Sequence, residues 1–266
     1  MTVLKTQNLS KRFGGLKAVS DVSIHVHEGE LLGLIGPNGA GKTTIFNLLT
    51  GVYVPTEGSI KLADEGGILF EIGGLKPHIV AKSGVSRTFQ NIRLFKDISV
   101  LDNLLISMHK NIKHSMFEAL FRLPRYQKDE SDFLKQAMLL LELVGLGGKS
   151  KSLARNLPYG EQRKLEIARA MATDARLIFL DEPAAGMNPS ETEDLAQLIR
   201  KLQKDYNLTI VLIEHDMKFV MNLCERVYVL DFGSIIAEGT PEEIRQNKRV
   251  ITAYLGEEPE QTKLHQ

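Results

Sequence analysis

Apolar and polar positions change period along the chain. Val22, Ile24 and Val26 alternate with polar residues, which predicts a half-buried strand. Leu31 to Ile35 is a short apolar run bounded by Gly29 and Gly36, the pattern of a buried strand. A helical pattern follows over Thr43–Thr50, and short strands broken by Gly66 and Gly67 follow over Ser59–Phe70. From Val100 to Val144 the period is mainly helical, with Leu139, Leu140, Leu143 and Val144 expected on one stripe. Leu177 to Leu180 and Thr209 to Ile213 are again continuous apolar runs, as in strands covered on both faces of a parallel sheet. Between them, Leu195, Leu198, Ile199 and Leu202 recur at helical spacing behind Asn188-Pro189-Ser190-Glu191, a capping-box-like start. Val227–Leu230 and Ser234–Ala237 flank Asp231-Phe232-Gly233, a hairpin signal, and Thr240-Pro241-Glu242-Glu243 starts another helix. Pro259 and the polar residues Glu260–Gln266 read as a frayed tail.

This alternation predicts an α/β fold with a mostly parallel sheet. The helical block near 90–160 interrupts it and is expected to form its own subdomain.

Composition narrows the class. The 266 residues carry 33 basic and 33 acidic side chains, and this neutral balance argues against a polybasic nucleic-acid binder. One cysteine, Cys224, permits no internal disulfide, and its apolar neighbours Met221 and Leu223 suggest a buried, inert thiol. The first residues lack the apolar core of a signal peptide. No apolar run approaches the ~18–20 residues that span a bilayer. A soluble, intracellular chain is expected, so any action at a membrane needs other chains to cross it.

Gly36-Pro37-Asn38-Gly39-Ala40-Gly41-Lys42-Thr43 matches G-x-x-x-x-G-K-[ST] between a predicted strand and a predicted helix. Glycines let the backbone curl so that successive N–H groups face one anion, and the helix N-terminus adds partial positive charge. Lys42 can reach β- and γ-phosphates, and the Thr43 hydroxyl can ligate Mg2+. Farther on, Leu177–Leu180 ends in Asp181-Glu182. Acids at the carboxyl end of a buried strand face the crevice where α/β folds bind ligands. Asp181 is expected to hold Mg2+ through water, and Glu182 to polarise the attacking water. His215 follows the next buried strand and is expected at the same edge, within reach of a γ-phosphate. His25 and His27 share a strand face, but no acid or cysteine accompanies them, so no metal site is read there.

These residues resemble the ATP-binding-cassette (ABC) ATPases. The discriminating segment is Leu157-Pro158-Tyr159-Gly160-Glu161-Gln162-Arg163-Lys164-Leu165-Glu166-Ile167-Ala168-Arg169-Ala170, similar to the family's signature loop and its helix. Gln90 in Arg87-Thr88-Phe89-Gln90-Asn91 matches the glutamine loop, Phe13 the aromatic that stacks on adenine, His215 the switch histidine, and Pro183–Asn188 the D-loop.

The resemblance covers about residues 3–256. It implies a P-loop NTPase core with a mostly parallel sheet, an N-terminal antiparallel β subdomain and an inserted helical subdomain. The implied boundaries are a core over 1–89 and 161–256, an insert over 90–160 and a flexible tail over 257–266. The implied ATP-binding set is Phe13, Gly36, Pro37, Asn38, Gly39, Ala40, Gly41, Lys42, Thr43 and Thr44. Tyr159, Gly160 and Glu161 would touch the ATP of a partner cassette. Thr43, Gln90 and Asp181 would serve Mg2+, and Glu182 and His215 catalysis. The cofactors implied are ATP and Mg2+. The partners implied are a second ATPase subunit paired head to tail, identical or related, two transmembrane permease subunits and, indirectly, an extracytoplasmic substrate-binding protein, with no nucleic acid. The site of action implied is the cytoplasmic face of a bacterial or archaeal membrane.

Ser86–Asn103, Leu157–Ala170, Asp181–Pro189, Ile213–Met217 and Ala253-Tyr254-Leu255-Gly256 are most similar to the LivG-like cassettes of branched-chain amino acid importers. The insert around His109–Lys128 mixes basic and apolar residues and reads as a subdomain helix with a solvated face. Two departures stand out: Pro158 where the signature loop usually has Ser, and Asn188 where the D-loop usually ends in Asp. Two other readings stay open. One is the similar cassette of a lipid or lipopolysaccharide exporter. The other is a soluble cassette acting on nucleic acid or ribosomes, which the neutral charge and the short stretch between Lys42 and Asp181 disfavour.

Overall fold

A computed structural model describes residues 1–108 and 124–255, the side chains of 124–128 and of 255 aside. Most of the basic-apolar insert and the expected tail therefore lie outside the described residues. The chain forms two compact units, residues 1–77 with 209–266 and residues 78–208.

The first unit opens with β1 (Thr2–Phe13), β2 (Leu16–Val22), β3 (His25–His27) and β4 (Leu31–Ile35), then α1 (Lys42–Leu49), β5 (Glu57–Ala63) and β6 (Leu69–Glu71). An antiparallel sheet runs β2-β1-β5-β6, with β3 also paired to β1. Val22, Ile24 and Val26 are all buried, as their alternation predicts. They do not form one strand, because Ser23 and Ile24 lie between β2 and β3, beyond the left-handed turn at Asp21 (φ 52°). The twelve residues of β1 pair with three strands through register shifts, and Asn8 has φ 49°. These irregularities break its period of two, which is why the pattern alone does not announce it.

The second unit contains α2 (Pro77–Lys82), β7 (Val85–Arg87), α3 (Val100–Met108), α4 (Pro124–Leu143), α5 (Tyr159–Ala172), β8 (Leu177–Asp181) and α6 (Pro189–Tyr206). β7 and β8 pair in parallel. On α4 the inward stripe differs from the expected one. Leu139 is 63% exposed, while Ala137, Leu141 and the following Val144 are buried. Helical spacing from Ala137 reaches Leu141 and Val144 at i+4 and i+7, which turns Leu139 away. The Asn188 start is a complete capping box: its side chain accepts from the Glu191 amide, and Glu191 accepts from the Asn188 amide, both at 3.0 Å.

The chain then returns to the first unit with β9 (Thr209–Ile213), α7 (Met217–Leu223), β10 (Arg226–Asp231), β11 (Ser234–Gly239), α8 (Pro241–Gln246) and α9 (Lys248–Leu255). Parallel strands run β10-β4-β9, and β11 is antiparallel to β10 through a hairpin whose Phe232 and Gly233 both have positive φ. Every residue of β4 and β9 is buried. Each Leu or Ile so placed contributes about 1.5–3 kcal/mol of transfer free energy. Gly33 lets α7 approach closely, since a Cβ there would sit 3.0 Å from Val220 and 3.1 Å from Cys224. Burial pushes the Cys224 thiol well up, so it is the inert thiol expected.

Candidate functional site

The phosphate loop runs from the end of β4 to the start of α1, and two of its glycines answer to specific crowding. Gly36 has φ 151°, and a Cβ there would lie 2.1 Å from the Leu230 carbonyl oxygen. Gly41 has φ 102°, with the Ala18 carbonyl oxygen 2.6 Å from where its Cβ would be. Gly41 is also the N-cap of α1, and no side chain caps that helix. The first-turn amides of α1, from Lys42, Thr43 and Thr44, are thus uncapped by side chains at the positive end of the helix dipole. Lys42 is 8% exposed, and its ammonium donates to the Gly36 carbonyl at 2.6 Å and the Pro37 carbonyl at 2.9 Å. Asn38, Gly39 and Thr43 are exposed, while Pro37 and Thr44 are half-buried and Ala40 is buried. Beside Pro37–Ala40 lies a cavity of about 880 Å³ whose other walls include Lys248, Arg249 and Thr252 of α9. From the same helix Tyr254 faces the Gly36 backbone, and burial pushes its hydroxyl up to about 12.

Two further candidates belong to this unit. Phe13 is 41% exposed at the end of β1, edge-on to Tyr53 at 5.2 Å between ring centroids. Lys11 lies 5.1 Å from the Phe13 ring centroid. His215 follows β9 as an exposed imidazole, and its amide donates to the fully buried Glu214 carboxylate at 3.1 Å.

In the other unit, β8 ends at Asp181 and Glu182 follows it in the next turn. Asp181 is buried, and Arg87 donates to its carboxylate at 2.6 Å. Glu182 adopts φ 47°, a left-handed backbone that a non-glycine residue holds at a cost of roughly 1–2 kcal/mol. That turn takes the Glu182 side chain away from the strand. There Gln90 donates to its carboxylate at 2.7 Å. The glutamine loop and the strand-end acid, 92 residues apart in sequence, therefore meet directly.

The signature segment starts α5 behind Pro158, again with no side-chain cap. Tyr159 is exposed, and its hydroxyl accepts from Arg163 at 2.9 Å. Glu161 binds Lys149 through both oxygens, at 2.6 and 2.7 Å. Gly160 is buried, and a Cβ there would press on the Glu191 carboxylate at 3.1 Å. Sequence reasoning assigned no role to Arg163, yet it ties this helix to the glutamine loop. Its guanidinium, 2% exposed, donates to the Phe89 carbonyl at 2.8 Å and to the Gln90 carbonyl, and pairs with Glu166 at 3.2 Å. Burial raises the Glu166 carboxyl above its ordinary value. Arg87, the cation on Asp181, also had no assigned role.

These donors suit a nucleoside triphosphate and its metal. A loop whose backbone excludes side chains at Gly36 and Gly41, a buried ammonium and helix amides with no side-chain cap suit an anion. Among the described residues, no three His, Cys, Asp or Glu side chains gather for a metal. A lone carboxylate such as Asp181 still fits Mg2+, which is usually held by one or two protein oxygens together with substrate phosphates. The loop in the first unit, and the acidic strand end and the signature helix in the second, are each elements of an ATP-binding cassette.

Residues 19–185 match the ABC transporter family, and residues 234–260 match the branched-chain amino acid ATP-binding cassette transporter family. The chain is 49% identical over 255 residues to the high-affinity branched-chain amino acid transport ATP-binding protein LivG of Salmonella typhimurium, covering 96% of this chain and 98% of that protein. It is 34% identical to the lipopolysaccharide export system ATP-binding protein LptB of Escherichia coli K12, over 97% of this chain and 99% of that one. Among solved structures, the ADP conformation of MJ1267, an ATP-binding cassette of an ABC transporter, superposes with TM-score 0.82 at 32% identity, covering 97% of this chain and all of that one. The chain belongs to the ABC transporter family and is one of its ATP-hydrolysing cassettes.

Proposed function

We propose that this chain is the ATPase subunit that energises import of branched-chain amino acids. The observation that carries the reading is the match of residues 234–260 to the branched-chain cassette family, together with 49% identity to LivG. The lower identity to LptB, 34%, favours the importer over the exporter.

The roles are those that the resemblance to the family implies, and the chemistry of each residue suits its role. Gly36 to Thr44 hold the phosphates with backbone amides, and Lys42 neutralises charge there. Phe13 stacks on the adenine. Thr43, Gln90 and Asp181 serve magnesium, which when bound offsets charge on the phosphates. Glu182 orients and polarises the attacking water, and His215 contacts the γ-phosphate. Tyr159, Gly160 and Glu161 belong to the surface that closes on a partner cassette's nucleotide. With Pro158 lacking both hydroxyl and N–H, that contact rests on the Gly160 amide and the N-terminus of α5.

In this reading the functional division is a core over 1–89 and 161–256 with an inserted helical part over 90–160. Two cassettes, identical or related, sit on two permease subunits at the inner membrane face, and an external binding protein delivers cargo. No helix among the described residues is long and apolar enough to cross a membrane. The test is reconstitution with the permease pair in liposomes. ATP hydrolysis is expected to rise severalfold when leucine-loaded binding protein is added. Equal hydrolysis with and without it counts against the importer.

A further inference from the structure

Arg87 ends β7 and Asp181 ends the parallel neighbour β8, in a register that sets Arg87 opposite Phe179. The guanidinium thus starts two residues short of the acid and runs forward to it, reaching Oδ2 at 2.6 Å. Both side chains are nearly dry, at 8% and 7% exposure, so ions in solution screen the pair little. The same short stretch also holds the next acid, since Gln90 donates to Glu182. Its middle residue, Phe89, has the Arg87 guanidinium 5.2 Å and the Arg93 guanidinium 3.8 Å from its ring centroid.

A carboxylate carries one negative charge. When a guanidinium already neutralises it in a low-dielectric setting, a second cation meets repulsion as well as attraction. We propose that Arg87 is a resident cation on Asp181 that competes with magnesium for this carboxylate. The proposal rests on the reading of Asp181 as a magnesium-serving residue. Arg87 orients the buried acid when no metal is present. Metal binding then weakens the Arg87 contact, and by reciprocity the Arg87 contact lowers metal affinity. Arg87 is a positioning residue here and touches no reacting atom.

The test uses Mn2+ as a paramagnetic stand-in for magnesium. Free Mn2+ is counted by electron paramagnetic resonance while the ion is titrated into the full chain, held in excess over a non-hydrolysable ATP analogue. Arg87→Met removes the charge and keeps the stem. Arg87→Gln removes the charge yet can still donate to Asp181, and it carries the test if the Met variant does not fold. Binding of the analogue in EDTA checks that each variant is folded. Both variants are expected to bind Mn2+ about tenfold more tightly than the unmodified chain. In the Asp181→Asn background, Arg87→Met is expected to change nothing further. Unchanged or weaker Mn2+ binding in the Arg87 variants overturns the competition. Asp181→Asn alone separates the two ideas. If it weakens Mn2+ binding, the metal reading stands even where the competition fails; if it does not, the metal reading fails and takes the competition with it.

Discussion

Glu182→Gln is expected to abolish ATP turnover while leaving nucleotide binding intact. The substitution keeps side-chain size and one acceptor oxygen but removes the charge that polarises water. A positioned general base typically contributes 10²–10⁴-fold, so kcat is expected to fall by about that factor. The local structure tolerates the change, because an amide oxygen can still accept from Gln90, which now meets a carboxylate oxygen at 2.7 Å. The left-handed backbone at Glu182 persists, since it is set by the turn after β8. The check is single-turnover hydrolysis beside equilibrium binding of ATP. A variant that hydrolyses at the normal rate removes Glu182 from the chemistry.

The second large effect is at Lys42. Lys42→Ala is expected to weaken ATP binding by ten- to a hundredfold, as a charge-assisted hydrogen bond contributes roughly 1.5–3 kcal/mol. The ammonium is buried at the loop and held by the Gly36 and Pro37 carbonyls, which keeps it poised where phosphate negative charge arrives. Its removal leaves the helix amides as the remaining phosphate donors. Some loss of global stability is expected as well, because the Gly36 carbonyl is buried and loses its donor. Fluorescent nucleotide titration measures the loss, and a thermal melt separates it from unfolding. Normal affinity in the variant contradicts the phosphate role.

Much of this site can be read from residue order, and the reasons are physical. The phosphate loop is local: its glycines, its lysine and the strand and helix that flank it fall within a short stretch, so pattern and structure coincide at Gly36 to Thr43. Asp181 and Glu182 are legible because a fully apolar strand must end where polar groups become useful. Asn188 departs from the family's aspartate, yet serves as the N-cap of a complete capping box.

What order could not announce are contacts between distant segments. Arg87 meets Asp181 across two parallel strands, and Arg163 reaches the carbonyls of Phe89 and Gln90 more than seventy residues away. No spacing rule flags an arginine of that kind. β1 hid for another reason, since its register shifts scramble the alternation that identifies a strand. On α4 the apolar run was richer than the face it buries, so Leu139 looked inward by composition while the helix turned it out.

The energising role in branched-chain amino acid import is tested most directly by uptake. Cells with and without this chain are supplied with radiolabelled leucine, isoleucine and valine, and initial rates are compared. Loss of high-affinity uptake without the chain, restored by the intact chain and not by Glu182→Gln, is the predicted result. Equal uptake in both cells contradicts it.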